Sequence, residues 1–346
     1  MLAATPAHAP HVRARQAPVW RQLAAEGNLT KTAREMNCGA RVALKRRADR
    51  SGFWHRAGSS STEEDRRAKE EERDKYLREG HAMVAPSQDG EELARMGYWI
   101  SPGFVLKTVK EGEVPGSRVL KRRLCVNMKK ANSRNRKRRF KNDKLEEMGE
   151  MIGEGCWVVT WDIKGAFQHV GIHPAHCRYF VVDMGPDVSG PRFMMMLCLP
   201  FGYVNSPEIW GRVMKTATTA IRAAQIPTVV YVDDGMNMMP TQSAMLTARE
   251  TVAEILDEHG LRRETSKGNW EPTQRLDNHL GTRVLCDVPR GQFRTPTATC
   301  RAIRQQAHAL LRSAFRHSRL IPAMWLATLD DEPGGEQRQG PKRRAV

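Results

Sequence analysis

Two adjacent aspartates at the end of an apolar run constrain the fold of this chain more than any other feature. The stretch "VVYVDDGM" spans residues 229–236, and β-branched and aromatic residues precede Asp233 and Asp234. Residues 235–239 are again mostly apolar, so the pattern predicts strand, turn and strand, with both carboxylates at the tip of a β-hairpin. Asp-Gly between apolar runs is a strong hairpin signal, so a plain turn would explain the pair by itself.

A bound cation is the second explanation, because adjacent carboxylates repel each other and a turn needs only one of them. Such a site needs another ligand. Asp162 is the best candidate, since it ends the strand-forming run "CWVVTWD" at residues 156–162 and precedes a turn at Gly165. An aspartate there can equally be a turn or cap residue. Three carboxylates at two strand ends could hold two Mg²⁺ ions, as phosphoryl transfer requires, with Mn²⁺ as an alternative.

The charge balance favours a polyanionic partner. Lysine and arginine number 56 against 39 acidic residues in 346, a formal charge of +17. Nucleic acid is the first candidate for that partner, and a merely basic surface is the alternative. Seven cysteines without a C-x-x-C pair argue against a zinc knuckle and a disulfide framework, which predicts an intracellular protein, cytoplasmic or nuclear and not secreted. The absence of a long apolar stretch predicts no membrane association.

A third motif lies between the two aspartate segments. In "LPFGYVNSP", residues 199–207, Ser206 and Pro207 resemble an N-cap and a first-turn proline that begin a helix. A flat turn with Phe201 at its tip could pack against a base pair, whereas an ordinary loop would bury Phe201 in the core. The run 194–196 of three methionines predicts a core strand.

Three histidines with short spacings, His169, His173 and His176, suggest a zinc site only weakly. Strand geometry would separate their side chains, and no cysteine stands in register with them. We therefore expect no zinc at these residues.

Together the motifs "DIKGAFQHVGIHP", "LPFGYVNSP" and "YVDD" resemble, in order and spacing, the reverse transcriptases of retroviruses and retrotransposons. They are similar to the first palm motif, the template and nucleotide platform, and the two-aspartate hairpin of that family. The resemblance covers roughly residues 97–290. The form "LPFG" favours the long-terminal-repeat and tyrosine-recombinase retrotransposon branches over telomerases and group II intron enzymes.

The resemblance implies roles for individual residues. The catalytic carboxylates and metal ligands would be Asp162, Asp233 and Asp234, with the backbone carbonyl of Ile163 as a further ligand and Lys267 as the proton donor to pyrophosphate. Among the substrate-binding residues, Arg123 would bind the triphosphate together with either Lys107 or Lys110. Phe167 would be the steric gate beneath the sugar, and Phe201 and Gly202 would lie at the nucleotide and templating base. Leu280 and Gly281 would form the primer grip. Core packing is the equal alternative for Phe167.

The implied fold is α+β: a right-hand polymerase with fingers, a palm built on an antiparallel sheet, and an incomplete thumb. The expected division is a charged, partly disordered arm (1–90), fingers and palm (91–290), a partial thumb or connection helix (291–328) and a disordered tail (329–346). Residues 59–80 are expected to form a charge-dense, solvated helix capped by Thr62. Asn127 and Gly165 depart from the acidic residues that the family commonly has at those positions. Nothing after about residue 320 suggests a ribonuclease H or integrase domain, so we expect a fragment of a pol polyprotein or a decayed copy.

The expected activity is that of an RNA-directed DNA polymerase, a nucleotidyltransferase that extends a primer 3′-hydroxyl on an RNA or DNA template with dNTPs. The alternative from another class is a catalytically silent, nucleic-acid-binding remnant of a retrotransposon. A third alternative, an unrelated basic RNA-binding module, would need exposed aromatic residues among the basic ones. In the basic stretch 121–145 Phe140 stands nearly alone. The sequence does not determine the oligomeric state.

Overall fold

The computed structural model describes residues 9–25, 31–111, 118–141, 143, 151–280, 282–288 and 292–294. Two compact units divide the chain, Met1–Phe293 and Arg294–Val346, and the features below belong to the first. Apart from residues 292–294, the predicted partial thumb or connection helix (291–328) lies outside the described residues.

The described segments contain helices and strands in a mixed order. The helices are α1 (Pro10–Gln16), α2 (Pro18–Ala25), α3 (Lys31–Cys38), α4 (Glu63–Arg78), α5 (Gly90–Arg95), α6 (Lys129–Ser133), α7 (Ser206–Ala223) and α8 (Gln242–Glu258), with 3₁₀ turns at Ala166–His169 and Pro174–Tyr179. The strands are β1 (Phe53–Trp54), β2 (Ala82–Val84), β3 (Trp99–Glu111), β4 (Arg118–Val126), β5 (Trp157–Asp162), β6 (Val181–Asp183), β7 (Phe193–Met196), β8 (Thr228–Tyr231), β9 (Asp234–Met239), β10 (Arg275–His279), β11 (Thr282–Leu285) and β12 (Gln292–Arg294).

The largest sheet is mixed, with strand order β1-β3-β6-β7-β2 and β4 beside β3. Strand β3 pairs in parallel with β1 and β6 near its beginning, and its remaining residues pair antiparallel with β4. The resemblance led us to expect an antiparallel sheet, and the chain contains this mixed sheet in addition to an antiparallel one. The predicted core strand at 194–196 is confirmed, because these methionines form β7 and are buried.

The antiparallel sheet, which we call the carboxylate sheet, has strand order β5-β9-β8. Its two faces are covered by different groups of apolar residues. Val159 and Trp161 of β5 belong to the main core, whereas Val158 packs with Met236 and Met238 of β9 and with residues of β10 and β11. Both faces are therefore buried, and the ends of the strands remain for chemistry.

Helix α4 differs from the solvated helix that the sequence suggested. Thr62 caps it as predicted, accepting a hydrogen bond from the Asp65 amide at 3.2 Å, yet Asp65, Lys69 and Arg73 are all buried. Asp65 forms ion pairs with Lys107 of β3 at 2.7 Å and with Arg122 of β4 at 3.1 Å. Because these pairs neutralise the buried charge, a helix without an apolar face can pack against the β3–β4 hairpin.

The helix that follows the aspartate hairpin is α8. Gly260 follows its end with a φ of +67° and allows the chain to turn back. In the part of the chain that the structure describes, no helix is long and apolar enough to cross a membrane. The division of the chain into arm, fingers and palm, thumb and tail stays a prediction.

Candidate active site

The predicted hairpin is present, but its turn lies two residues earlier than the Asp-Gly signal suggested. Tyr231 pairs with Asp234, so Val232 and Asp233 form the two-residue turn and Asp234 begins β9. Val232 has a φ of +60°, which is unusual for a β-branched residue. Two hydrogen bonds hold this turn: the Val232 carbonyl accepts one from Trp210 Nε1 at 2.7 Å, and the Asp233 carbonyl accepts one from the Ile163 amide at 3.0 Å.

Gly235 is needed for packing rather than for the turn. A Cβ at this position would lie 2.2 Å from two ring carbons of Trp161. The indole of Trp161 donates a hydrogen bond to Asn237 Oδ1 at 2.6 Å, and Asn237 Nδ2 donates one to Thr228 Oγ1 at 2.7 Å. This buried chain of bonds joins all three strands and fixes the carboxylate sheet behind the aspartates.

The structure brings the three predicted carboxylates to one end of this sheet. Asp162 is directly opposite Asp234 in the β5–β9 ladder, so the two side chains share a face, and Asp233 stands in the adjoining turn. Lys267 lies over Asp162, with Nζ 3.1 Å from Oδ2 and 3.3 Å from Oδ1. Four of the predicted site residues are therefore neighbours in space although they span more than one hundred residues of sequence.

Burial and mutual repulsion disfavour ionisation of the aspartate pair. Burial, followed by the charge of Asp162, raises the pKa of Asp233 above its usual value. Burial and the charges of Asp233 and Asp162 raise the pKa of Asp234 to about 6. Partial burial opposes the charge of Lys267, but its hydrogen bond to Asp162 and the neighbouring aspartates raise its pKa overall. One lysine thus lies near three carboxylates, and further positive charge would stabilise their ionised forms.

A divalent cation that prefers oxygen ligands would supply this charge. Carboxylate oxygens are the ligands that suit Mg²⁺. Among the described residues, no group of three or more His, Cys, Asp or Glu side chains already has the arrangement to hold a metal ion. The carboxylates therefore match the ion in kind and charge, and side-chain movement would be needed to surround it.

Phe167, in the 3₁₀ turn that follows Asp162, forms a ring pair with Phe201. Their centroids are 5.0 Å apart with an interplanar angle of 55°. Phe167 is 8% exposed, whereas Phe201 is 52% exposed, so the alternative that places Phe201 in the core is wrong. Gly202 has a φ of +93°, and a Cβ there would lie 2.7 Å from the Val126 carbonyl oxygen. The turn thus presents an aromatic ring to solvent from a tightly packed backbone.

The helix after this turn begins one residue earlier than predicted. Ser206 is the first residue of α7, and its hydroxyl donates to the Pro200 carbonyl at 2.9 Å rather than capping the helix. Asn205 occupies the N-cap position without a side-chain cap. The side-chain amide of Asn205 instead binds the basic segment, which runs from β4 to Lys141. Its Oδ1 accepts a hydrogen bond from the Arg138 backbone amide at 2.9 Å, and its Nδ2 donates one to the Arg136 carbonyl at 3.1 Å.

The predicted triphosphate-binding residues lie on the β3–β4 hairpin. Arg123 is exposed on β4 and lies 3.4 Å from Thr108 Oγ1. Lys107 faces α4, where Asp65 binds it at 2.7 Å. Lys110 belongs to the same strand, and its side chain lies outside the described part of the structure. Successive residues of a strand belong to opposite faces, and positions 107 and 110 of β3 are three residues apart. The two positions therefore belong to opposite faces of the β3–β4 hairpin.

A groove of about 920 Å³ adjoins the carboxylates and extends to the β10–β11 hairpin. Its lining includes Asp234, Lys267, Thr160, His279 and Leu280. Leu280 occupies the turn between the two strands with a φ of +52°. Gly281, the other residue of the predicted primer grip, lies outside the described residues.

The three histidines do not form one cluster. His169 and His176 lie in 3₁₀ turns and His173 caps the second turn, whereas we expected a strand. His173 and His176 pack edge to face with ring centroids 5.6 Å apart, and His176 Nδ1 accepts a hydrogen bond from the Val42 amide. His169 lies elsewhere, accepting at Nε2 from the Arg262 amide at 3.1 Å. Because an acceptor nitrogen carries no proton, the other nitrogen, Nδ1, donates to the Gly165 carbonyl.

Several residues that hold the site were missed by the sequence analysis. Trp210 anchors the aspartate turn, and Asn237 links the strands behind it. Asp183, fully buried in β6, accepts hydrogen bonds from Trp54 Nε1 at 2.8 Å and from Arg192 Nε at 2.8 Å, and so ties residues 53–57 to the mixed sheet. No local pattern marks these residues, because their contacts join different elements of the structure.

Comparison with known proteins agrees with this arrangement. Residues 117–281, a little under half of the chain, match the family described as Reverse transcriptase (RNA-dependent DNA polymerase). This segment is similar to reverse transcriptases. The match contains Asp162, Asp233, Asp234 and Lys267, and the resemblance stated from the motifs is confirmed. The retroelement branch stays a prediction.

A second comparison links the reverse transcriptase segment to a retrovirus. The chain is 26% identical over 121 residues to the Gag-Pro-Pol polyprotein of Bovine leukemia virus (isolate Australian). The aligned stretch covers 34% of this chain and 8% of that polyprotein. Polymerases of the reverse transcriptase family generally use divalent metals, and the family implies a nucleic-acid template and primer.

Proposed function

We propose that this chain is an RNA-directed DNA polymerase that extends a primer 3′-hydroxyl with deoxynucleotides on an RNA or DNA template. The observation that carries the proposal is the convergence of Asp162, Asp233 and Asp234 at one end of the carboxylate sheet. In right-hand terms this sheet is the palm, and the β3–β4 hairpin belongs to the fingers.

The proposed metal ligands are the three aspartates and the backbone carbonyl of Ile163. When bound, two Mg²⁺ ions would supply positive charge that favours ionisation of the attacking hydroxyl and offsets charge on the triphosphate. Lys267 carries the proton that the leaving pyrophosphate requires, which agrees with its raised pKa. In the structure without an ion, the Lys267 ammonium lies 3.1 Å from Asp162 Oδ2 and supplies part of the positive charge at the site.

The proposed nucleotide site lies between the ring pair and the fingers hairpin. Phe167 fills the space beneath the sugar, and Phe201 with Gly202 faces the nucleotide and templating base. Arg123 binds the triphosphate. Because Asp65 already pairs with Lys107 on the opposite face, we propose Lys110 rather than Lys107 as its partner. Leu280 and Gly281 hold the primer end at the far side of the groove.

A catalytically silent remnant is the second candidate, and the absence of a preformed metal arrangement among the described residues favours it. Primer extension by the purified chain separates the two. With an RNA template, labelled primer, dNTPs and either Mg²⁺ or Mn²⁺, the polymerase extends the primer and stops when EDTA is added. A remnant binds the same duplex without incorporation.

A further inference from the structure

A buried network of charges joins α3, which precedes the family match, to α7. Glu35 of α3 and Glu208 of α7 are each 8% exposed. Arg212 of α7 pairs with both carboxylates and donates to Thr32 Oγ1 of α3 at 3.0 Å. Lys31 Nζ is 3.6 Å from Glu208, and the sequence gives no local signal for a contact between these helices.

The network also includes the basic segment that precedes the active site in sequence. Arg138 Nη1 lies 3.8 Å from Glu35 and 3.6 Å from Glu208. Three cations therefore share two buried carboxylates. Burial raises the pKa of Glu208, but the hydrogen bond from Arg212 and the nearby cations lower it below its usual value. Removing Glu35 would leave three cations with one buried carboxylate.

The opposite side of α7 holds the catalytic hairpin. Trp210 is two residues from both Glu208 and Arg212, so its side chain leaves the helix on the far side from them. Its Nε1 donates to the Val232 carbonyl at 2.7 Å, and the adjoining Asp233 carbonyl accepts from the Ile163 amide at 3.0 Å. Helix α7 thus lies between the charge network and the aspartates.

Helix α3 is itself fixed from behind. Asn37 Nδ2 donates to the Trp20 carbonyl of α2 at 3.0 Å, and Trp20 Nε1 donates to the His259 carbonyl after α8 at 3.2 Å. A displacement of α7 would therefore have to break the ion pairs, because α3 cannot follow it freely.

We infer that α3 braces α7 and that Glu35 is a positioning residue for the aspartate hairpin, acting through Arg212 and Trp210. The effect on activity rests on the proposed function, whereas the effect on the hairpin does not. The helices that precede the family match would then be part of the polymerase rather than a separate arm.

Hydrogen–deuterium exchange of the full chain tests the brace without nucleotide or metal. Glu35→Gln keeps the shape of the side chain and removes its charge. We expect amides of residues 229–236 to exchange about tenfold faster, while peptides of β2 and β7 change little. Glu35→Asp should recover part of the protection. Glu71→Gln, an exposed glutamate on α4, is the matched control and should change neither region.

Kinetics and a double-mutant cycle complete the test. In primer extension, Glu35→Gln should lower kcat about tenfold and leave the Kd for primer–template within about twofold. Arg212→Gln combined with Glu35→Gln should cause no more than the larger single effect on exchange at 229–236, because both act through one contact. If Glu35→Gln does not fold, Glu35→Asp and Arg212→Gln carry the same comparison.

Two results would overturn the brace: unchanged exchange at 229–236, or an equal increase in all regions, which would make Glu35 a general stabilising residue. If the hairpin responds and the unmodified chain extends no primer, the brace stands and the proposed function fails.

Discussion

The carboxylate sheet and the basic segment from β4 to Lys141 carry charges of opposite sign and differ in how exposed those charges are. The sheet places three like charges together in partly buried positions, and packing and hydrogen bonds fix its strands on both faces. The basic segment presents exposed Arg136, Lys137 and Arg139 and is fixed through its backbone, as in the bond from the Arg136 amide to Ala43. Catalysis that depends on the positions of the three aspartates should therefore be sensitive to single substitutions. Binding by dispersed positive charge should tolerate single substitutions.

The largest expected effect is the loss of one carboxylate. Asp233→Asn should lower nucleotide incorporation by about a hundredfold to a thousandfold, because charge stabilisation of the transition state is removed. The Kd for duplex should stay within about twofold, since binding depends mainly on cations. Single-turnover extension and filter binding measure the two quantities, with the exposed Asp257→Asn as control. Incorporation at the original rate would show that Asp233 is only a turn residue.

The sheet can also be disturbed without touching its charges. Gly235→Ala forces a Cβ against the Trp161 ring, which should destabilise the protein by about 1–3 kcal/mol. Gly211→Ala is the matched control, because a Cβ at that helical position meets nothing within 4 Å and should stabilise by up to about 1 kcal/mol. Urea unfolding of both variants measures the difference. Equal stability of the two variants would mean that the sheet adapts more readily than its packing suggests.

The basic segment should respond to several changes together. Replacing Arg136, Lys137 and Arg139 by Gln should weaken duplex binding about tenfold and reduce the slope of log Kd against log salt by roughly one unit for each phosphate that the variant no longer neutralises. Arg138 is left intact because it belongs to the buried charge network. An unchanged slope in salt titrations would assign these cations to a solvated surface.

The pH dependence of the free energy of unfolding tests whether His169 is buried and uncharged in the folded protein. Burial is the main cause that lowers the pKa of His169 from 6.5 to about 4. Between these values the unfolded chain binds a proton that the folded chain does not, so stability falls with decreasing pH by about 1.4 kcal/mol per unit. This contribution is fully present above pH 6.5 and lost by about pH 4. His169→Gln should reduce the pH slope of urea unfolding by about one proton, and an unaltered slope would contradict the assignment.

The smallest effect is expected in sugar selection. Phe167→Val should raise incorporation of ribonucleotides relative to deoxynucleotides by about fivefold to tenfold, because the smaller side chain leaves room for a 2′-hydroxyl. Efficiencies with both nucleotides, for both proteins, give the ratio. If a folded, active variant keeps the original ratio, Phe167 serves only to pack against Phe201.

Local patterns of residues were enough to predict several of the elements. Runs of β-branched, aromatic and apolar residues predicted β5, β8 and β9, Thr62 marked the start of α4, and the order of the motifs indicated the resemblance to reverse transcriptases. Tertiary structure alone decided where the turn lies, because the close contact between Trp161 and Gly235 uses the glycine that the Asp-Gly signal assigned to the hairpin. It also decided that α4 packs rather than extends into solvent, since its charges meet partners on β3 and β4. Ion pairs such as Glu35 with Arg212 join residues far apart in the chain, and no periodicity within one segment records a partner in another.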